Sequence, residues 1–192
     1  MMKEKICIFP NDSLRDYFEK GEIKYGYFNP CNFFDEVHVI SLFDDEIEAE
    51  KVSQLAGKGK LIIHNIQKVN LTNYHSFEKK IEKIISQINP QIIRAFNPLV
   101  QGWLATKIGK KNGIPVVISV HKNYNQQREL LKKERKYFKF LKLSYTSKKI
   151  ETYCLKNADS IICVYEFIVP YVKKMGGKNI QVIYNKVDLQ NF

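Results

Sequence analysis

Apolar residues fall along this chain in two kinds of block, and the two kinds alternate. The first kind is a short run rich in β-branched residues, bounded by Pro, Gly, Asn or Asp. Such runs are KICIF at Lys5–Phe9, EVHVISLF at 36–43, KLIIHNI at 60–66 and QIIRAF at 91–96, then PVVISVH at 115–121, SIICV at 160–164 and IQVIY at 180–184. Each reads as a strand. Several are apolar at consecutive positions, which predicts a sheet covered on both faces. The second kind has helical spacing. Over 76–89, Phe77, Ile81, Ile84, Ile85 and Ile88 form one stripe on a 3.6-residue period. Ser76 is expected to cap that helix and Pro90 to end it. Asn97-Pro98 reads as an N-cap followed by Pro at the first helical position, opening a helix over 99–112 that Gly113 closes. A long, broken helical region is expected over 125–157, and a shorter helix over 167–175 stopped by Gly176-Gly177. Residues 12–34, with Gly21, Gly26, Pro30 and several aromatics, read as a long functional loop with at most one short helix.

Strands alternating with helices call for an α/β fold. Right-handed crossovers make it a doubly wound, mostly parallel, Rossmann-like sheet of about seven strands. The 192 residues suffice for one such domain, and a chain near this size buries roughly 70% of its unfolded surface. No apolar run approaches the roughly 18 residues of a membrane span. The opening MMKEKICIFPND has no small-residue cleavage site and reads as a buried strand, not a targeting segment. Cys7, Cys31, Cys154 and Cys163 are scattered without a CxxC pair, as expected of structural thiols in a reducing cytoplasm. The His and Cys spacings give no metal site. There is neither GxGxxG nor GxxxxGK[ST].

The net charge of +11 changes the picture because it is uneven. From Lys122 to Lys156 there are eleven Lys and Arg against three Glu, whereas Asp35–Glu50 is acidic. The partner implied is anionic: phospholipid, nucleic acid or a phosphorylated substrate. Over 126–149 the charge is interleaved with Leu130, Leu131, Tyr137, Phe138, Phe140, Leu141, Leu143 and Tyr145. A basic, aromatic amphipathic helix suits an anionic membrane surface, through Lys132, Lys133, Lys136 and Lys139. The competing reading is a solvated helix that packs its aromatics on the sheet. No recognised nucleic-acid motif is present, and no nucleic acid is expected as partner.

In a doubly wound sheet, ligands bind at the carboxyl ends of the strands near the point where strand order reverses. The candidates are therefore the residues just past the strands. Asn11, Asp12 and the Gly21-Glu22 loop follow the first. Arg94 and Asn97 lie at the fourth, His121 and Lys122 at the fifth, and Glu166 after the sixth. His121 ends an apolar strand, and its ring exchanges hydrogen bonds near neutral pH. Arg94 offers a planar fork to phosphate or carboxylate, or forms an ion pair with a neighbouring acid. Asn97 as a cap would set a helix N-terminus at the crevice. Glu166 either bonds a sugar hydroxyl or caps the following helix. His38 and His64, inside strands, read as core or edge histidines.

These same segments resemble the first domain of family 4 retaining glycosyltransferases. Pro90-Gln91-Ile92-Ile93-Arg94-Ala95-Phe96-Asn97-Pro98 with Gly102 resembles their P-D-I-I-R-A-x-x-P…G stretch. Gly113-Ile114-Pro115-Val116-Val117-Ile118-Ser119-Val120-His121 resembles G-I-P-V-V-x-S-x-H. Ala158-Asp159 and Asn185…Val187-Asp188 match later landmarks in order, and Lys20-Gly21-Glu22 stands where the family keeps a glycine-rich loop. The chain departs from the pattern at Tyr165 and Lys186 and lacks the Gly-Gly pair of the first loop.

The resemblance implies a GT-B arrangement. Residues 1–185 would be the acceptor-binding domain. Residues 186–192 would begin a linker to a C-terminal domain that binds the nucleotide-sugar donor. It implies retention of anomeric configuration, no metal and no cofactor. It places His121 as the catalytic residue beside the transferred sugar, with Gly21, Glu22, Arg94, Asn97, Lys122 and Glu166 as substrate-binding candidates. The expected protein is a cytoplasmic, peripheral-membrane transferase acting on a glycan or glycolipid, inactive as this chain alone. A standalone binding module and a basic nucleic-acid-binding protein are the other readings.

Overall fold

In the computed structural model of the chain, which describes residues 3–43 and 46–184, seven strands form one parallel sheet. They are β1 Lys5–Phe9, β2 Glu36–Ser41, β3 Lys60–Asn65, β4 Ile92–Phe96, β5 Val116–Val120, β6 Ser160–Cys163 and β7 Ile180–Val182. Every expected strand is present, each at most two residues shorter than its apolar run. The order is β3-β2-β1-β4-β5-β6-β7, so it reverses between β1 and β4. The helices are α1 Leu14–Glu19, α2 Ala49–Val52, α3 Tyr74–Ile88, α4 Val100–Asn112, α5 Tyr124–Lys133, α6 Tyr137–Thr146, α7 Thr152–Asn157 and α8 Val169–Lys174. A π-helical turn, Ser147–Glu151, joins α6 to α7. The expected linker over 186–192 lies outside the described residues.

Two cores sandwich the sheet. Leu14, Val52 and Leu55 from α1, α2 and the turn after α2 pack on Ile8, Val39 and Phe96. Ile81, Ile85, Leu104, Leu155 and Val172 from α3, α4, α7 and α8 pack on Phe9, Ile40, Ile93 and Ile118. Each fully buried aliphatic side chain contributes roughly 1.5–3 kcal/mol of transfer free energy. The central strands are apolar on both faces because both faces are covered.

Two expected caps are corrected. α3 begins at Tyr74, two residues before Ser76, because Tyr74 is buried against Trp103. The Ser76 hydroxyl instead donates to the Asn73 carbonyl inside the first turn. Asn97 does not cap α4, which starts at Val100 with Leu99 before it. Asn97 takes a left-handed backbone, φ 69°, and turns its side chain toward two other strand ends. Helix α4 approaches that turn so closely that a Cβ on Gly102 would lie 2.5 Å from the Asn97 carbonyl oxygen.

The region over 12–34 is tied down more firmly than expected of a loop. It holds α1, and Tyr17 and Phe28 are buried. The buried Asn29 side chain donates to the carbonyls of Phe34 and Ala56 and accepts from the Phe34 N–H. The broken helical region appears as expected, interrupted where Arg135 takes φ 57° between α5 and α6.

The basic segment is not simply a solvated face. Arg128 and Glu151 are buried and paired in a bidentate fork at 2.8 and 3.0 Å. Tyr171 from α8 donates to Glu151 at 2.6 Å and Thr146 at 2.9 Å. Arg128 also donates to the Leu143 carbonyl and to Asn125. The π turn has a physical consequence: Ile150 and Glu151 are both fully buried, with the wider turn bringing adjacent side chains inward. One carboxylate thereby fastens α5, α6 and α8 to the turn that leads into α7.

Candidate functional site

The reversal of strand order sits at the carboxyl ends of β1 and β4, and one side chain bridges it. Asn97 Nδ2 donates to Asn11 Oδ1, just past β1, at 2.6 Å. Asn97 Oδ1 accepts the backbone N–H of His121, just past β5, at 3.0 Å. Its own N–H donates to the Ser119 carbonyl at 2.7 Å. Gln101 on α4 adds a bond to the Phe96 carbonyl. Three strand ends are thus locked to one another around a polar point.

His121 stands over this point. Its ring lies 5.6 Å from that of Phe96. Its Nε2 is buried and has no hydrogen-bond partner among the described residues. Burial, followed by the charges of Arg94 and Lys122, lowers its pKa to about 4. The imidazole is therefore neutral near pH 7, with one ring nitrogen that nothing among the described residues bonds. A buried polar atom without a partner carries a desolvation cost of about 1–3 kcal/mol, which a bound hydroxyl or oxygen would relieve.

Arg94 lies on the α1 side of the sheet. The expected ion pair is not formed among the described residues. Its Nε donates to Ser119 at 3.0 Å, and its guanidinium lies 4.6 Å from the centre of the Phe96 ring. Tyr27 stacks on the same Phe96 at 5.6 Å. Asp12 and Glu22 are close enough that their charges, after burial, help raise the pKa values of Tyr17 and Tyr27. The result is an aromatic wall carrying one half-buried cation that has no carboxylate partner among the described residues.

The remaining expected residues are more peripheral. Gly21 turns with φ 68° just after α1, where a Cβ would meet nothing within 4 Å, and Glu22 beside it is exposed. Lys122 is exposed beside His121. Glu166 is exposed in a 3-10 turn after β6, close enough to Tyr184 to help raise its pKa after burial, and it caps no helix through its side chain. Among the described residues no three His, Cys, Asp or Glu side chains gather into a metal site. No described helix is long and apolar enough to cross a membrane.

On the other flank of the switch point lies a cleft of about 490 Å³. Asn11, Gln101, Leu99 and Val100 form its inner wall, and α5 and α6 its outer wall through Leu131, Lys136, Lys139, Lys142 and Leu143. The four lysines expected at a membrane therefore separate. All four are exposed, but Lys132 and Lys133 lie at the end of α5 outside the cleft, and Lys136 and Lys139 line it. The opposite side of α6 exposes Phe138 (83%), Leu141 (63%) and Tyr145 (51%).

Sequence reasoning passed over the Asn97 bridge, Gln101 and the Arg128–Glu151 pair. Ser119 was open to discovery, as the lone polar residue among the consecutive apolar positions of β5.

A seven-stranded parallel sheet with this order, flanked by helices on both faces, is an α/β, Rossmann-like fold of the kind found in the N-terminal half of GT-B proteins. The family described as Glycosyltransferase Family 4 matches residues 35–191, and the chain belongs to that family. Its fold is similar to that of a UDP-N-acetylglucosamine 2-epimerase from Rickettsia bellii (11% identity, TM-score 0.56, 94% of this chain and 44% of that one). It is also similar to HepE from Anabaena, solved with UDP and glucose (14%, 0.56, 97% and 46%), and to a glycosyltransferase from Rickettsia africae (17%, 0.55, 98% and 44%). At such identities the similarity concerns the fold. The chain spans less than half the length of each of these proteins. No curated protein matches the sequence.

Proposed function

We propose that this chain is the acceptor-side half of a retaining glycosyltransferase that moves a sugar from a nucleotide-sugar to a glycan or glycolipid. A second, C-terminal domain would hold most of the donor nucleotide, and the reaction needs neither metal nor cofactor. The protein works at the cytoplasmic face of a membrane, in polysaccharide or glycolipid synthesis.

The observation that carries this reading is the neutral His121 with its unpartnered Nε2 at the switch point. As the bond between the anomeric carbon and the departing nucleotide phosphate lengthens, positive charge builds on the sugar. An imidazolium there would repel it. A neutral ring instead gives a hydrogen bond to a sugar oxygen or hydroxyl, aimed in advance by Asn97 holding the His121 backbone. A fixed, pre-aimed dipole stabilises the transition state more than the ground state.

The test is His121→Ala in the protein that includes the donor domain. We expect kcat to fall by about 10²-fold or more, with the donor KM little changed. Unchanged turnover removes His121 from the mechanism.

A further inference from the structure

α6 turns two different faces to its surroundings, and the lysines are on the unexpected one. Residues 139, 142, 143 and 146 face the cleft, while 138, 141 and 145 face away and are exposed or half-exposed aromatics and Leu. A helix built only to lie on a membrane would put its cations and apolar groups at the same water–lipid boundary. Here Lys136, Lys139 and Lys142 stay exposed but border the cleft, away from the apolar side. Among the described residues Lys136 pairs with Glu134 at 2.7 Å, while Lys139 and Lys142 have no acidic partner. The described lining of the cleft contains no acid. Leu42, Val69, Leu71, Leu99 and Leu131 give it an apolar stretch of wall, and Asn70, Gln127 and Thr146 add uncharged polar groups. Its inner wall includes Asn11 and Gln101, so it opens onto the same polar point that Asn97 ties to His121.

We propose that this cleft takes a phosphorylated amphiphile: the lipid-phosphate end of the acceptor, its phosphate held by Lys139 and Lys142 and its first methylenes laid on the apolar wall. This deepens the glycosyltransferase reading and rests on it, because the acceptor's sugar would then reach the switch point. Two features of one ligand are needed to explain the site. Charge alone leaves the apolar wall without a partner, and a hydrocarbon alone leaves two unmatched lysines. The exposed Phe138, Leu141 and Tyr145 on the outer side of α6 seat the helix in the bilayer from which such an acceptor is drawn. The two faces therefore have separable roles.

Titration calorimetry with the purified chain and octyl phosphate, kept monomeric, tests this. Octyl phosphate binds more tightly than butyl phosphate, by up to roughly fourfold per buried CH₂. Inorganic phosphate and octanol bind far more weakly than octyl phosphate. Lys139→Glu with Lys142→Glu, both exposed and checked by circular dichroism, weakens octyl phosphate binding roughly tenfold or more. Leu131→Asn flattens the chain-length dependence. Phe138→Ser with Leu141→Ser leaves octyl phosphate binding unchanged and reduces sedimentation with vesicles of one-third phosphatidylserine.

Three results overturn the proposal. Octyl phosphate binding no tighter than inorganic phosphate means a free-anion site. Octyl phosphate binding unaffected by the two lysine substitutions means the cleft does not use them. An equal loss from Phe138→Ser with Leu141→Ser means the ligand binds the outer face. Because no donor is present in this titration, a failed transferase assay leaves the result standing. An active transferase that shows no octyl phosphate binding sinks the cleft alone.

Discussion

The side-chain oxygen of Asn97 accepts the backbone N–H of His121 at 3.0 Å, from a residue held in left-handed backbone at φ 69°. The bond joins the ends of β4 and β5, and the same side chain reaches Asn11 beyond β1. Asn tolerates that backbone better than most residues, and its amide supplies both a donor and an acceptor. Asn97→Ala should therefore lose on two counts. It leaves the His121 N–H without a partner, at about 1–3 kcal/mol, and strains the backbone by about 1–2 kcal/mol. Asn97→Gly keeps the backbone and loses only the bonds. Urea unfolding should rank wild type above Gly and Gly above Ala. Equal stability of the two variants would show that the left-handed turn carries no strain.

Gly102 sets two effects against each other. Helix propensity alone predicts that Gly102→Ala stabilises α4 by about 1 kcal/mol. The new Cβ would lie 2.5 Å from the Asn97 carbonyl oxygen, which is backbone and cannot swing aside. Such overpacking costs about 1–3 kcal/mol. We expect the clash to win and thermal unfolding to show a lowered Tm. A raised Tm would mean that α4 can slide away from the strand end.

The buried pair Arg128–Glu151 should be far costlier to break than to replace. Arg128→Met leaves Glu151 buried with only Tyr171 and Thr146, and removing one member of such a pair typically costs about 3–5 kcal/mol. Replacing Glu151 by Leu in the same chain should recover part of that loss. A double-mutant cycle by denaturant unfolding measures the coupling, and additive losses would show that the two charges do not depend on each other.

Stability should fall in mild acid. Burial lowers the pKa of His121 to about 4, with Arg94 and Lys122 adding to the shift, and burial lowers His64 to about 4 with a contribution from His38. Both rings are ordinarily half-protonated near pH 6.5 when the chain is unfolded. Below that pH the unfolded state binds protons that the folded state refuses, so folding is progressively disfavoured. The contribution is fully present above pH 6.5 and is lost as pH falls toward 4. His38, also lowered by burial, adds in the same direction against its bond to Glu36. Tm measured from pH 7.5 to 4.5 should drop, and His64→Gln should make the drop shallower. A flat profile over that range would sink this account.

The seven strands, their alternation with helices and hence the parallel sheet can all be read from the residues alone. Apolar runs bounded by turn residues are local signals, and right-handed crossovers leave few ways to arrange them. The same runs also mark the strand end where His121 stands, because that follows from where the run stops; Arg94, expected at such an end, lies in the middle of β4. Other features depend on residues far apart in the chain and emerge only when the chain is folded. Asn97 before Pro98 carries a local cap signal, but its partners lie 24 and 86 residues away and outweigh it. Glu151 is one acid among many bases, and nothing local says that it meets Arg128 in the core. The helical period of α6 places Lys139 with Lys142 and Phe138 with Leu141, but a period does not say which face looks inward. That was settled by the cleft between α6 and the ends of the strands.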